Sequence, residues 1–247
     1  MFVAQGATGS VWMVGGMSSD SSALPNTGVR SSIEVISLQT DGSLAFWVSD
    51  DMLNNVWGQV GYFISEGGAP IAFYQIWNLN TSTILTEGST PISVGVHAFS
   101  MYLQNGTNWA YAVDGNVFGS FSMGSSASSP SYPIYVMAEE QGNNTFYFPT
   151  VSFAPALQVM RAGSWTPVEA AYSYGGAWGV EGHLQNDSLQ QNQLLVGGNL
   201  SALSPSSRLW SAPATASPAS ASLTMTYGTL TSAALSLPLL LRVRVQR

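Results

Sequence analysis

Residues 47–79, W-V-S-D-D-M-L-N-N-V-W-G-Q-V-G-Y-F-I-S-E-G-G-A-P-I-A-F-Y-Q-I-W-N-L, decide the fold of this chain. Apolar side chains alternate here with small or polar ones, in short runs separated by Gly, Pro and Asn. Such alternation is typical of β-strands. Including the few residues before it, the stretch predicts three consecutive strands, at 44–49, 56–65 and 71–79.

Two glutamines stand at matching places in the second and third of these strands. Because successive strand side chains point to opposite faces, Gln59 and Gln75 are expected on one face with several aromatic rings. The rings are those of Trp57, Phe63, Phe73 and Trp77. A buried amide is costly without hydrogen-bond partners, so the pattern indicates a polar groove lined by rings. The alternative is ordinary strand glutamines on a solvent-facing side.

Turn signals divide the rest of the chain into further short runs. Asn105-Gly106 and Asp114-Gly115 are typical of two-residue hairpin turns, and Asp41-Gly42 predicts another hairpin that enters the strand at 44–49. No amphipathic helix and no long repeat is apparent. We therefore expect an all-β protein, an antiparallel β-sandwich or jelly roll, over residues 1–210.

The C-terminal part has a different composition. Residues 211–222, S-A-P-A-T-A-S-P-A-S-A-S, are typical of a low-complexity linker. Residues 230–241 are apolar and precede R-V-R-V-Q-R, but twelve residues interrupted by Pro238 are too few to span a bilayer core of about 30 Å. A truncated anchor and a tail of no structural meaning both fit. We expect the second, with residues 211–247 poorly ordered and no membrane anchoring.

Charge is scarce and unbalanced. Only 8% of the 247 residues are charged, and the formal net charge is −7 with six arginines and no lysine. Nucleic-acid binding is excluded, because it needs a basic surface. A chain with few ion pairs has little to lose when carboxylates are protonated, so we expect the fold to persist in acid. An acidic environment and a glycosylated surface protein both fit this composition.

The expected location is extracellular or at the cell surface. Residues 1–16 lack the basic start and apolar run of a signal peptide, so a leader is expected to have been removed or to lie outside this chain. The chain has no cysteine, which excludes disulfides and zinc–thiolate sites. No cofactor or metal is expected, because no G-x-G-x-x-G or H-E-x-x-H motif occurs. Asp50-Asp51 with Asn54-Asn55 could offer oxygen ligands to Ca²⁺, but a capped turn is the expected interpretation. His97 and His183 are isolated and have no G-x-S-x-G neighbour, which argues against a serine triad.

Adjacent acids end the predicted strand at 134–138. Glu139 and Glu140 must face opposite sides if the strand stays regular, so one of them points to the face of the glutamines. Burial beside rings would raise the pKa of that carboxyl and suit it to acid–base chemistry in acidic solution. A solvated strand end is the alternative.

Several of these segments resemble the eqolisins, or glutamic peptidases, acid endopeptidases with a concanavalin-like β-sandwich. The similarity covers about residues 44–160. It includes G-Q-V-G at 58–61, I-S-V-G at 92–95 and F-P-T-V-S-F-A-P-A-L-Q-V at 148–159. The family pairs a Gln in a Q-x-G strand with a Glu on a neighbouring strand. Gln59, twelve residues after Trp47, matches that Gln, and Gln75 falls where the family usually has a Glu.

One departure concerns the catalytic Glu of that family. Its direct match in this chain falls near Tyr135 or Val136, whereas the acids come later, at Glu139 and Glu140. Either the strand is shifted by a few residues or the catalytic Glu is missing. A weaker similarity, in F-W-V-S-D and W-N-L, is to thermopsin, an archaeal acid peptidase. It supplies no residue roles.

The resemblance implies peptide-bond hydrolysis in acid by a Gln/Glu dyad. Glu139 or Glu140 would deprotonate a water, and Gln59 would donate its amide to the developing oxyanion. The residues expected to line the substrate groove are Trp47, Trp57, Tyr74, Gln75 and Trp77. A non-catalytic carbohydrate-binding module and a structural surface module on the same sandwich are the alternatives. The expected partner is accordingly a polypeptide or a glycan.

Overall fold

A computed structural model of the chain describes a set of separate ranges. These are residues 11–18, 26–40, 42–52, 55–65, 67–123, 134–141, 147–168, 170–173, 182–184, 188–190 and 192–202. Within some strands only the backbone is described, namely at 11–14, 16–18, 51, 141, 147, 170–173, 182–184, 188–190 and 198–202.

The described residues form seventeen strands, and none of them is helical. The strands are β1 (Val11–Ser18), β2 (Gly28–Val35), β3 (Ser43–Met52), β4 (Val56–Ile64), β5 (Pro70–Asn78), β6 (Thr83–Pro91), β7 (Gly95–Asn105), β8 (Asn108–Val113), β9 (Asn116–Ser122), β10 (Tyr135–Gln141), β11 (Tyr147–Phe153), β12 (Gln158–Arg161), β13 (Ser164–Pro167), β14 (Ala170–Ser173), β15 (Gly182–Leu184), β16 (Ser188–Gln190) and β17 (Gln193–Ala202).

Two antiparallel sheets contain all of these strands. Sheet 1 has seven, in the spatial order β14-β1-β10-β3-β4-β5-β6. Sheet 2 has ten, and its main path runs β15-β17-β11-β2-β7-β8-β9, with β12, β13 and β16 attached beside it. The predicted all-β antiparallel sandwich is confirmed. The three predicted strands of residues 47–79 are β3, β4 and β5, neighbours at the centre of sheet 1.

Aromatic rings from both sheets meet in the core. Tyr62 of β4 stacks on Phe46 of β3 at 5.0 Å between ring centroids and on Phe99 of β7, in the other sheet, at 6.1 Å. Tyr74 of β5 stacks on Tyr111 of β8 at 4.7 Å. Burying a large apolar side chain stabilises a fold by about 1.5–3 kcal/mol. These stacked pairs therefore hold sheet 1 against sheet 2.

Turn chemistry was predicted correctly for the β8–β9 hairpin. Asp114 and Gly115 have φ of 51° and 79°, the left-handed pair that a type I′ turn requires.

The predicted hairpin at Asp41-Gly42 is wrong. β2 pairs with β7 in sheet 2, whereas β3 pairs with β4 and β10 in sheet 1. The seven residues between β2 and β3 let the chain cross from one sheet to the other.

Residues 8–208 form a unit that contains every described residue. The predicted linker and tail at 211–247 lie outside the described residues, so the boundary at 210 stays a prediction. In the part of the chain that the structure describes, no helix is long and apolar enough to cross a membrane.

The close approach of β3 to β4 gives a test of the fold. A Cβ added at Gly61 would meet the Phe46 carbonyl oxygen and would lie 2.6 Å from the Trp47 Cα. We expect Gly61→Ala to lower the free energy of unfolding by about 1–3 kcal/mol, because the backbone of β3 must move. Urea unfolding followed by tryptophan fluorescence measures this.

The control for that variant is Ser89→Ala, an exposed position on edge strand β6 that lies opposite Phe73 as Gly61 does. It should change the free energy of unfolding by less than about 0.5 kcal/mol. Equal stability of Gly61→Ala and the parent chain would contradict the register of β3 and β4.

Candidate functional site

One row of side chains crosses four strands on the face of sheet 1 that points away from sheet 2, here called the distal face. Ser49 of β3 lies opposite Gln59 of β4, which lies opposite Gln75 of β5, which lies opposite Glu87 of β6. We call these four residues the glutamine row. Directly opposed residues of antiparallel strands share a face, so strand pairing alone brings these polar groups together.

Hydrogen bonds run along the glutamine row in one direction. The Gln59 Nε2 donates to the Gln75 Oε1 at 2.8 Å, and the Gln75 Nε2 donates to the Glu87 Oε2 at 3.2 Å. Gln59 and Gln75 retain 0% and 1% of their exposure, and Glu87 is half-buried. Their burial contradicts the alternative of ordinary solvent-facing glutamines. It also strengthens each bond, because no water competes.

Indole rings flank the glutamine row, as predicted from strand parity. Trp57 lies opposite Trp77 in the neighbouring row, and Trp47 lies in the row on the other side of Gln59. Trp47 and Trp57 pack edge to face with 5.5 Å between centroids. All three are nearly buried, and Trp57 and Trp77 keep the most exposure, at 9% and 7%.

Glu139 also lies on the distal face, held by an indole. The Trp47 Nε1 donates to the Glu139 Oε2 at 3.1 Å, and both side chains are buried. Glu139 lies opposite Ala45, two same-face steps along the strands from the level of Gln59. Each step is about 6.6 Å, so Trp47 occupies the level between them. The family resemblance places the catalytic Glu near Tyr135 or Val136. Tyr135 lies opposite Ser49 and extends the glutamine row, whereas Val136 belongs to the core.

Two of the residues predicted for the site lie on the opposite face. Tyr74 stacks on Tyr111 and contacts Phe118 of β9 edge-on at 5.6 Å, so it belongs to the core. Glu140 lies opposite the core residue Leu44. The physical reason is alternation along the strand: each directly follows or precedes a distal-face residue. The structure thus brings together Trp47, Trp57, Gln59, Gln75, Trp77 and Glu139, and it separates Tyr74 and Glu140 from them.

Glu87 is the site residue that the sequence analysis missed. No predicted strand contained residue 87, so this acid was never assigned to a face. β6 in fact continues to Pro91. One signal was present in the sequence, since Glu87 is the sole acid between Glu66 and Asp114.

A second polar cluster lies at the end of β7. His97 Nδ1 lies 2.7 Å from the Asp114 Oδ2, and its Nε2 lies 3.3 Å from the Ser93 Oγ and 3.0 Å from the Ser93 carbonyl oxygen. The three residue types are those of a serine triad. The Ser93 carbonyl oxygen is the nearer partner of Nε2, however, which favours an imidazole that ties the loop before β7 to the β8–β9 turn.

Metal ligands are sparse in the described ranges. No three His, Asp or Glu side chains cluster there in a way that would hold a metal ion. The functional groups at the distal face are therefore amides, carboxyls and indoles.

Comparison with known proteins gives similarity in fold. The sequence matches no protein-family model and no curated protein. A crystal structure of scytalido-glutamic peptidase with a peptide-based transition-state analogue is similar, with a TM-score of 0.52 and 16% identity, over 78% of this chain and 98% of that one. A second structure of that peptidase, with a transition-state analogue inhibitor, has a TM-score of 0.50 at the same identity and coverage. The expected resemblance to glutamic peptidases is thus confirmed in the fold.

The Asp114 carboxylate gives a pH prediction. Partial burial raises its pKa, but the hydrogen bond from the Ala98 N–H and the neighbouring His97 outweigh burial and hold the pKa below its ordinary value of 3.8. A pKa lower in the folded state stabilises the fold above pH 3.8, and this contribution is lost as the pH falls through the folded value. Because Asp114 is half exposed, it amounts to less than about 1 kcal/mol.

We therefore expect Asp114→Asn to lower the free energy of unfolding by up to about 1 kcal/mol near pH 6. The difference from the parent chain should vanish near pH 2, where both side chains are neutral. Urea unfolding at both pH values measures it. A difference that is the same at the two pH values would show that the carboxylate charge contributes nothing.

Proposed function

We propose that this protein is a hydrolase of the glutamic-peptidase type, which cleaves peptide bonds in acidic solution on the distal face of sheet 1. The observation that carries the proposal is that a buried amide, Gln59, and a buried carboxyl, Glu139, lie on one face of this fold, two levels apart along the strands. Trp47 lies between them and binds Glu139. For both groups to act on one carbonyl, the Glu139 carboxyl must move past Trp47 towards the level of Gln59. Fold similarity alone does not establish an activity, so the proposal depends on these residues.

The chemistry assigned to each residue follows from its groups. Glu139 accepts a proton from a water, and the oxygen of that water attacks the scissile carbonyl carbon. Gln59 donates an N–H to the oxyanion that develops, an interaction stronger in the transition state than in the substrate. Gln59 is fully buried in this form. A substrate therefore reaches its amide only after side chains above it move, and Trp57 and Trp77, which keep some exposure, are the natural ones.

The low charge of the chain supports the acidic setting and a location outside the cytoplasm. An ion pair joins His97 to Asp114, and only 8% of the residues of the chain are charged. Few attractions are therefore lost when carboxylates are protonated. A location outside the cell or at its surface is part of the proposal.

Adjacent acids on opposite faces provide a matched test. We expect Glu139→Gln to abolish cleavage of an acid-denatured protein between about pH 2 and 5. Glu140→Gln, the same change one residue later and on the core face, should retain cleavage. Gln59→Ala should reduce the rate by about 10²–10³, the usual worth of an oxyanion donor. Peptide products are quantified by mass spectrometry, with circular dichroism to confirm folding.

Two results would contradict this proposal. Cleavage by the purified parent chain that both Glu139→Gln and Gln59→Ala retain would remove the two residues from the mechanism. An absence of cleavage by the parent chain across that pH range would remove the activity itself.

Glycan binding is the second candidate, favoured by the three indoles beside two amides. Indole faces stack on sugar rings and amides bond hydroxyl groups, and neither contact needs a carboxylate. Binding of soluble oligosaccharides, followed by calorimetry, should be lost in Trp57→Ala and Trp77→Ala but kept in Glu139→Gln. This pattern in a chain without acid proteolysis would replace the hydrolase proposal by a binding module.

A further inference from the structure

The direction of the hydrogen bonds in the glutamine row is set at its β6 end. An ionised carboxylate only accepts hydrogen bonds. Glu87 therefore requires Gln75 to turn its NH₂ group towards β6, which leaves the Gln75 Oε1 facing β4. Gln59 must then turn its own NH₂ group towards Gln75. The donors and acceptors in the structure have this arrangement.

The arrangement has a consequence for the far end of the row. The Gln59 carbonyl oxygen Oε1 is directed away from its bond to Gln75, is buried, and has no hydrogen-bond partner among the described residues. Ser49, next in the row, likewise has a buried Oγ without a partner in the described ranges. A carbonyl oxygen repels an oxyanion. With Glu87 ionised, Gln59 thus presents the wrong end of its amide for the proposed reaction.

Protonation of Glu87 allows every bond in the row to reverse. A neutral carboxyl group donates one O–H, which the Gln75 Oε1 accepts once that amide turns over. The Gln75 NH₂ group then donates to the Gln59 Oε1, and the Gln59 NH₂ group turns towards β3. The Gln59–Gln75 and Gln75–Glu87 bonds are present in both arrangements. The reversed arrangement also gives the buried Gln59 Oε1 a donor, which favours it once Glu87 is neutral.

We propose that Glu87 is a positioning residue for Gln59, and that Gln75 transmits its protonation state. With Glu87 protonated, Gln59 offers N–H donors at the end of its amide away from Gln75. With Glu87 ionised, it offers an oxygen there. The consequence for catalysis rests on the proposed function, whereas the coupling between the three side chains does not. The coupling makes protonation of Glu87 a requirement of the oxyanion donor, whereas the base Glu139 must be ionised.

Among the residues that the structure describes, few other charges face Glu87. It is the one ionisable residue of β6, and β9, which packs beside β6, has none. On β5, the ionisable Tyr74 points to the core. The other acids placed on the distal face by register are Asp51 and Glu139, both at least three strands away. A titration of the glutamine row can therefore be assigned to Glu87.

Side-chain NMR tests the coupling directly. The ¹⁵N-attached NH₂ signals of Gln59 and Gln75 should shift with pH at the midpoint of the Glu87 carboxyl, read from its ¹³C signal. Glu87→Gln should abolish the transition in both amides. Glu34→Gln, which changes a half-buried acid of β2 that accepts from the Ser152 N–H, should leave it in place. The proposal is overturned if the Gln59 NH₂ signal does not shift at the pH where Glu87 titrates. This measurement needs only the parent chain.

The kinetic arm uses the same variant. The added amide of Glu87→Gln can donate to the Gln75 Oε1 as a protonated carboxyl does. It therefore removes the acceptor-only group that excludes the donor arrangement of Gln59 at high pH. At two pH units above the Glu87 midpoint, the parent chain keeps about 1% of that arrangement, and the variant should cleave up to about 100-fold faster. Identical pH profiles of variant and parent would overturn the link to catalysis. Coupled NMR signals in a chain that cleaves nothing would instead refute the proposed function and keep the coupling.

Discussion

The burial of β4 on both faces is the constraint on which the rest of the structure depends. All nine residues of Val56–Ile64 are buried. On the core side this is the ordinary result of packing two sheets, with Tyr62 stacked between rings of both. On the distal side it places Gln59 where water does not reach it. A buried amide must find partners within the protein, and the only directions open to a strand residue are its neighbours across the sheet.

The glutamine row supplies the hydrogen-bond partners that the burial of Gln59 requires. Gln59 bonds to Gln75, and Gln75 bonds to Glu87 on edge strand β6, which is half-buried and can exchange protons with solvent. A row of amides that ends in one carboxyl has no charge in its buried part. The free-energy cost of desolvating a charge therefore concerns only Glu87, which is half-buried. The same row connects a buried donor to the surface. One carboxyl is thus enough to make a buried amide respond to pH in a protein with few charges.

The similarity to scytalido-glutamic peptidase concerns the sandwich and not the placement of acids. Sheets of this kind supply several sites for a carboxyl around one glutamine. In this chain Glu139 reaches the distal face at a level two steps from Gln59 and accepts a hydrogen bond from Trp47, whereas Glu87 lies at the same level as Gln59 but two strands away. The two acids therefore suit different tasks. Glu139 accepts a hydrogen bond from an indole and is proposed as the base, whereas Glu87 ends the hydrogen-bonded row of amides.

The sequence by itself determined the strands of 47–79, their alternation and the faces of their side chains, because alternation is a local property of an extended chain. It placed Gln59 and Gln75 together with the indoles, and strand parity alone already put Tyr74 with the core, against its assignment to the groove. Only the tertiary structure decided which strands are neighbours. Register between β5 and β6 brought Glu87 to Gln75, register between β3 and β10 brought Glu139 to Trp47, and the passage of the chain between sheets removed the hairpin at Asp41-Gly42. Pairing depends on the packing of residues far apart in the chain, and no local pattern encodes it.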